Sequence, residues 1–547
     1  MPRTALLRSI VRLAEDHAAA EQAGTDPATV RARRTEGHLD RRLHRREFLA
    51  GAAAAGAAVG LGAFVPTPTR GAAAPRVAIV GGGIAGLTTA LTLADKGIDS
   101  TVYESSDRVG GRMHTDTSGY WADGQVTEWG GELIDTGHKT VQFLAQRFKL
   151  PLDDLFGAEP NGSEDTYYFD GQYYPKAQAD IDFKPVHQAL QRDVWAASYP
   201  TTWDTQTAGG IELDRMSIFD WIESRVPGGH GSPLGQLLDV AYDIEFGAPT
   251  TDQSSLNLCY LLGYNASPGN FAIFGGSDER YHIRGGNGQL PERIAAHLEG
   301  RRPGSIVTGW RMTSVARSGD TVVLSFDTPG GARQVTADHV VLTLPFAVLA
   351  GLEYRRAGFD DRKKLAITTL GRGHNGKLQL QFRDRFWNST GPWPGISNGA
   401  TYADTGYQNT WDVSRAQAGR SGILVDYTGG LVTDRIRATS PRATADARDV
   451  GAAARRFLEQ VEPVLPGSTG QWTGRATLSL PHLDPNFNCS YSYWRVGQYT
   501  TIAGYEGVRQ GRIHFAGEHT SVDFQGWMEG GANSGVRAAN EVLADLG

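Results

Sequence analysis

The stretch from Arg76 to Glu104 confines this chain to very few folds. Arg76-Val77-Ala78-Ile79-Val80 is a short apolar, β-branched run of the kind buried in a parallel sheet, and it leads directly into Gly81, Gly83 and Gly86. That G-x-G-x-x-G spacing has a mechanical meaning. The first glycine makes the tight turn, the second admits a diphosphate to the backbone, and the third lets the next helix pack on the strand. The sequence then predicts a helix over Leu87 to Lys96, stopped by Gly97. Its N-terminus would offer free N–H groups and the positive end of the dipole to an anion. A second strand, Ser100 to Tyr103, ends at Glu104, where a carboxylate would accept hydrogen bonds from a ribose. An ordinary glycine-rich turn explains the glycines alone, but not strand, helix, strand and acid in that order. The segment predicts an α/β, doubly wound fold holding a dinucleotide, with NAD and FAD both open.

The rest of the chain narrows the class. Its 547 residues suffice for two or three domains. A net charge of -7 argues against nucleic acid as a partner, since such binding needs a basic face to displace counterions. Two cysteines exclude a disulfide scaffold, a four-cysteine zinc site and a cysteine-ligated iron–sulfur cluster, and no metal is expected.

Residues 1–74 read differently from the remainder. Arg45-Arg46-Glu47-Phe48-Leu49 precedes an Ala/Gly-rich run from Ala50 to Val65, with small residues at Gly71 to Ala74, the layout of an export signal. Paired arginines before Phe-Leu resemble the twin-arginine signal, a route for folded, often cofactor-loaded proteins. The expectation is a secreted, extracellular or cell-envelope protein, cleaved after Ala73. A disordered Arg-rich tail on a cytosolic enzyme is the plainer alternative. The apolar run is too weakly hydrophobic for a permanent span, and no later stretch is long and apolar enough to cross a bilayer.

Arg108-Val109-Gly110-Gly111-Arg112 follows the ribose acid directly, and here the sequence resembles the flavin amine oxidase family, whose Glu-Arg-Gly-Gly-Arg run continues the FAD site. Further resemblances occur in order: Tyr281 to Arg293, Val340 to Pro345, Ile513 to Thr520 and Gly526 to Gly531, so nearly all of the chain after Arg76 is covered. The resemblance implies FAD as cofactor. It would be held by Gly81, Gly83, Ile84, Ala85, Gly86, Glu104, Arg108, Gly110, Gly111 and Arg112. Met312 would add backbone groups from an adenine-contact strand, Gly517 and Glu518 would meet the ribityl or pyrophosphate part, and Met528 would offer its N–H at a helix N-terminus. The implied architecture is a Rossmann-like FAD-binding domain from 75–152, 280–345 and 471–547. It is interleaved with an α+β substrate domain, a mixed sheet with helices, from 153–279 and 346–470.

Family members oxidise a carbon bearing an amine by hydride transfer to the flavin, with dioxygen as a second substrate in the oxidases. Trp527 and Tyr491 would flank the approach to the flavin, core packing being the alternative. Lys377 lies in Gly371-Arg372-Gly373-His374-Asn375-Gly376-Lys377, which superficially spells a phosphate loop, but Leu378 stands where magnesium needs a hydroxyl. Lys377 to Phe382 instead alternates like a half-buried strand. The family's strand there carries a lysine that holds a water and assists reoxidation; a solvated surface lysine is the other reading. Cys489 is either a covalent FAD attachment site or an inert buried thiol, with non-covalent FAD the simpler case. Leu133 stands where the family's amino-acid oxidases would place a carboxylate-binding arginine, which favours an amine without a carboxylate. Glu132 would either pair with the far cationic end of such a substrate or serve as a structural acceptor. An L-amino acid oxidase, an amine dehydrogenase using a protein acceptor, and a non-catalytic flavin-binding protein stay open, as does a homodimer.

Overall fold

The computed structural model describes residues 74–264 and 266–546, so the leader read at Arg45 to Ala73 lies outside the described residues. The nucleotide segment forms a five-stranded, wholly parallel sheet. Its order is Ile513–Phe515, His339–Leu342, Val77–Val80, Ser100–Tyr103 and Ile306–Val307. Numbered along the chain this reads 5-4-1-2-3, the doubly wound order. The winding direction reverses between Val77–Val80 and His339–Leu342, which opens a crevice at their carboxyl ends.

The helix after the glycines spans Ile84–Asp95, beginning three residues earlier than the pattern Leu87 to Lys96 predicts. Gly83 is its extended N-cap residue, and the first intrahelical bond runs from Leu87 N–H to Gly83 O at 3.0 Å. The amides of Ile84, Ala85 and Gly86 thus form the open first turn. The last helix, Met528–Leu546, lies against this one through two glycines. A Cβ on Gly535 would stand 2.4 Å from Ala85 O, and one on Gly531 2.8 Å from a methyl of Ile84. Two helices approach this closely only where side chains are absent.

A second, eight-stranded mixed sheet runs in the order Arg442–Thr444, Trp472–Ser479, Asn375–Phe382, Gly422–Gly429, Asn409–Asp412, Ile396–Ala403, Ser163–Phe169 and Gln172–Tyr174. Trp472–Ser479 hydrogen-bonds into this sheet, although a segment boundary at 471 groups it with the nucleotide region. Asn375–Phe382 is a strand, but all eight of its residues are buried and not half of them. The alternation is real. Leu378, Leu380 and Phe382 pack in a core with Val450, Phe457 and Leu458 of the helix Arg448–Val461. The opposite face is covered by the segment around 122–132. There Lys377 donates to Gly130 O, Gln379 to Glu128 O and Gln381 to Gln125 Oε1. Polar side chains buried in this way carry their hydrogen bonds with them. Helices Lys176–Ala197 and Pro233–Phe246 pack over the sheet's other end, and Ser255–Leu262 packs against Lys176–Ala197. No described helix is long and apolar enough to cross a membrane.

Candidate active site

A cavity of about 750 Å³ is lined by the glycine loop, the 108–113 loop, the C-terminal motif and strands of the eight-stranded sheet. At its nucleotide end the three glycines have separable jobs. Gly81 turns the chain at φ +110°, and a Cβ there would lie 2.4 Å from the Thr343 hydroxyl. Gly86 does not line the cavity; a Cβ on it would sit 2.0 Å from Gly81 O, so its role is packing helix on strand. Around Gly83 the nearest atom to such a Cβ is Gly110 O at 4.0 Å. The protein itself therefore makes no demand for glycine at 83, and the space beside it is a cradle for a ligand at the helix N-terminus. Glu104 is buried and fixed, accepting from Gly82 N–H at 2.7 Å and from Ser106 N–H at 2.8 Å. Gly110 continues the floor: it adopts φ +101°, and its N–H donates to Gly82 O at 2.9 Å.

The C-terminal motif is bound to this floor by a charge pair. Arg112 donates to Glu518 Oε1 at 2.9 Å and to Ser490 O at 2.8 Å. Glu518 Oε2 in turn accepts from the Ser492 hydroxyl at 2.8 Å and from Gly526 N–H at 2.9 Å. Burial acts to raise the Glu518 carboxyl, but the Arg112 cation outweighs it and holds the group below the usual carboxylate range. The same pairing overcomes the burial of Arg112 and raises its guanidinium further. Arg108 lines the cavity too and bonds to Gly111 O at 2.9 Å, fixing the glycine loop over which it lies.

In the middle of the cavity, Lys377 Nζ donates to Gly130 O at 2.9 Å and to Glu132 Oε2 at 2.6 Å, with both residues of the pair buried. Glu132 Oε1 accepts from the Trp411 indole N–H at 2.9 Å. Glu132 is thus a structural acceptor whose oxygens are both engaged within the chain. Tyr491 packs beside Gly526, where a Cβ would stand 3.4 Å from its ring, and Trp527 is the next residue. The Tyr491 hydroxyl donates to Glu245 O at 2.8 Å and lies 2.9 Å from the Tyr427 hydroxyl. Tyr427 packs against Trp411 with ring centroids 5.0 Å apart and planes inclined at 59°. The far end of the cavity is acidic: Glu159, Asp165, Glu245, Asp278 and Glu279 line it, with Arg415 among them. Arg415 is held by Glu159 at 2.6 Å. Burial, reinforced by Glu245 and Asp135, pushes the Glu279 carboxyl well above its ordinary range.

A family model described as flavin containing amine oxidoreductase matches residues 84–543. The chain belongs to that family. Among curated relatives, polyamine oxidase 4 of Oryza sativa subsp. japonica is 24% identical over 88% of this chain and 91% of its own length. A putative L-amino-acid oxidase, YobN, of Bacillus subtilis (strain 168) is 22% identical over 85% of this chain and 94% of its own. Among solved structures, cyclohexylamine oxidase from Brevibacterium oxydans IH-35A superposes with a TM-score of 0.71 at 20% identity. It covers 86% of this chain and 99% of that one. The protein is accordingly an FAD-dependent oxidoreductase acting on amines.

With FAD as the cofactor of this amine oxidoreductase, most residues expected to hold it line one cavity: Gly81, Gly83, Ile84, Ala85, Glu104, Arg108, Gly110, Gly111, Arg112, Gly517, Glu518 and Met528. Lys377, Tyr491 and Trp527 line it as well. Gly86 does not, for the packing reason given, and neither does Met312. Met312 is buried in the core and pairs with Phe326 across an antiparallel ladder. The strand still serves the site through its approach, where Trp310 N–H donates to Glu104 O at 2.8 Å. Cys489 also stands off the wall: its thiol is buried, faces Phe487 O at 3.5 Å and is pushed up to about 12 by burial. Such a thiol is a poor nucleophile, because the thiolate is the reactive form.

Several lining residues carry no signal in the sequence. Trp411 and Tyr427 come from adjacent strands of the eight-stranded sheet, and Glu245 from the end of a helix. Asp484 and Asn486 reach the nucleotide end from a loop, where Asn486 accepts from the Ser105 hydroxyl at 2.7 Å. Only strand register and tertiary packing bring them together.

Proposed function

We propose that this amine oxidoreductase is an exported oxidase of amines that lack a carboxylate. The observation that carries the reading is the group of acids lining the cavity around Glu245 and Glu279, where Arg415 is already held by Glu159. A substrate carboxylate there would meet further carboxyls and, among the described residues beside them, no unpaired cation, whereas a second cationic group would pair with these acids and draw even the burial-raised Glu279 toward its charged form. When bound, FAD supplies the hydride acceptor and returns its electrons to dioxygen as hydrogen peroxide, while the oxidised substrate hydrolyses to a carbonyl and ammonia or a smaller amine.

The chain's own residues bind and orient. Tyr491 and Trp527 flank the reacting carbon, and burial raises the Tyr491 hydroxyl well above its ordinary range, so it presents a neutral wall. Its bonds to Glu245 O and the Tyr427 hydroxyl fix the ring. Lys377 has three N–H donors, two of them taken by Gly130 O and Glu132, which leaves the third to hold a water. The division into an FAD-binding and a substrate-binding part is of a piece with this reading. It is supported by the drawing of all five parallel strands from 77–103, 306–342 and 513–515. Export is supported by the Arg45-Arg46 leader.

Oxygen uptake and peroxide release with a panel of mono-, di- and polyamines and amino acids test the proposal. Turnover of amines with one peroxide per substrate is expected. Turnover of amino acids in preference, of amines only with a protein acceptor, or of nothing at all would each replace it. Lys377→Met should leave FAD bound and slow the reaction of the reduced enzyme with dioxygen. An unchanged oxidative half-reaction removes the lysine from the mechanism.

A further inference from the structure

Toward the amino ends of the parallel sheet's edge strand and its neighbour, His339 and His514 face each other, both buried. His339 opens the strand His339–Leu342, and His514 lies in Ile513–Phe515 beside it. His339 Nδ1 stands 3.4 Å from His514 Nε2. Asp545, in the last turn of the C-terminal helix Met528–Leu546, places its Oδ2 3.8 Å from each of those nitrogens. In a triangle with these sides the in-plane centre lies about 2.1 Å from all three atoms, the bond length zinc makes to imidazole nitrogen and to carboxylate oxygen. A tetrahedral ion above that plane would need Asp545 Oδ2 to draw in by about 0.4 Å.

We propose that His339, His514 and Asp545 form a structural site for a divalent transition ion of the zinc type. Three features support it beyond the triangle. His514 Nδ1 lies 3.0 Å from Glu541 Oε2, so its N–H is directed to that carboxylate and Nε2 keeps its lone pair, facing His339 Nδ1 at 3.4 Å. This is the carboxylate–histidine arrangement that orients metal-bound imidazoles. Arg509 holds Asp545 through both carboxylate oxygens, and Arg537 holds Glu541 at 2.6 Å, so both carboxylates are already oriented and Oδ2 would be shared between the ion and the guanidinium. The Asp545 side chain is 24% exposed, which gives an ion an entry path and a water for its fourth position. Two nitrogens and one oxygen suit zinc, nickel or copper over magnesium or calcium. Without an ion, His339 Nδ1–H donates to His514 Nε2 at 3.4 Å; an ion replaces that bond, and His339 moves its proton to Nε2 so that Nδ1 can ligate. An ion there would link the chain's last turn to the two strands that carry Thr343 and Gly517 to the cofactor.

The test uses the full-length, FAD-loaded protein without an affinity tag, treated with chelator and dialysed against buffered Zn²⁺, with bound metal measured by elemental analysis. The expected result is one zinc per chain and a raised midpoint for thermal release of the flavin. The exposed-side variant Asp545→Asn should weaken zinc binding by more than about tenfold, and His514→Gln should abolish it. A second group, His374, Asp434 and His482, also brings two imidazoles and a carboxylate together, so Asp434→Asn is the control and should change nothing. Absence of bound zinc, zinc retained in both Asp545→Asn and His514→Gln, or zinc lost in Asp434→Asn overturns the assignment. Flavin absorbance in each variant reports folding independently of metal content.

Discussion

Replacing Gly83 by serine separates the cofactor's needs from those of the fold. Gly83 caps the helix Ile84–Asp95 at φ -75° and ψ 179°, a conformation open to any L-residue, and serine is a better N-cap than glycine. The new Cβ would meet only Gly110 O at 4.0 Å. The flavin-free protein should therefore keep its stability or gain a few tenths of a kcal/mol. The hydroxyl, however, would take a first-turn N–H and fill the cradle. Losing one hydrogen bond to a charged diphosphate costs about 1.5–3 kcal/mol, or roughly a ten- to hundredfold weaker affinity for FAD. Gly86→Ala should behave in the opposite way. Its Cβ would stand 2.0 Å from Gly81 O, a backbone atom, so the strand–helix junction must move, at about 1–3 kcal/mol or more of stability. Thermal unfolding of the flavin-free variants and fluorescence titration with FAD give both numbers. Gly83→Ser binding FAD as tightly as the parent, or Gly86→Ala unfolding at the parent's temperature, would refute the assignment of separate jobs.

Glu132→Gln should destabilise the fold by about 3–5 kcal/mol, since it leaves the buried Lys377 cation without its carboxylate partner at 2.6 Å; denaturant unfolding measures this. The pair also gives a pH dependence. Burial acts to raise the Glu132 carboxyl, but Lys377 and the Trp411 N–H outweigh it and hold the group below its ordinary value. A depressed carboxyl contributes stability that is full above its unfolded pKa and is lost as pH falls through the folded one. Acid unfolding of the parent should show that loss and Glu132→Gln should not. Acid precipitation should leave the yellow colour in the supernatant, because the Cys489 thiol is buried, protonated and off the cavity wall; colour in the pellet would mean a covalent link.

The nucleotide end was legible in the sequence because backbone geometry writes itself into residue type. Gly81 must be glycine to adopt φ +110°, and Gly86 to clear a carbonyl, so the motif exists before any tertiary contact is known. The helix start was displaced because Ile84, Ala85 and Gly86 satisfy the loop spacing and the helix alike. Burial of Asn375–Phe382 was half read: alternation marks two faces, but nothing in Lys377, Gln379 and Gln381 announces that a second segment will cover the polar one. The chamber was not legible at all. Glu279, Trp411 and Tyr427 converge from separate segments, so no local spacing records them.

The central claim, that one cavity brings an amine to a bound flavin, is tested most directly by adding amines anaerobically to the purified yellow protein and following its visible flavin band. The account predicts bleaching with amines and recovery of the band on admitting air. A colourless protein that takes up no FAD, or a band that no amine alters, would contradict it.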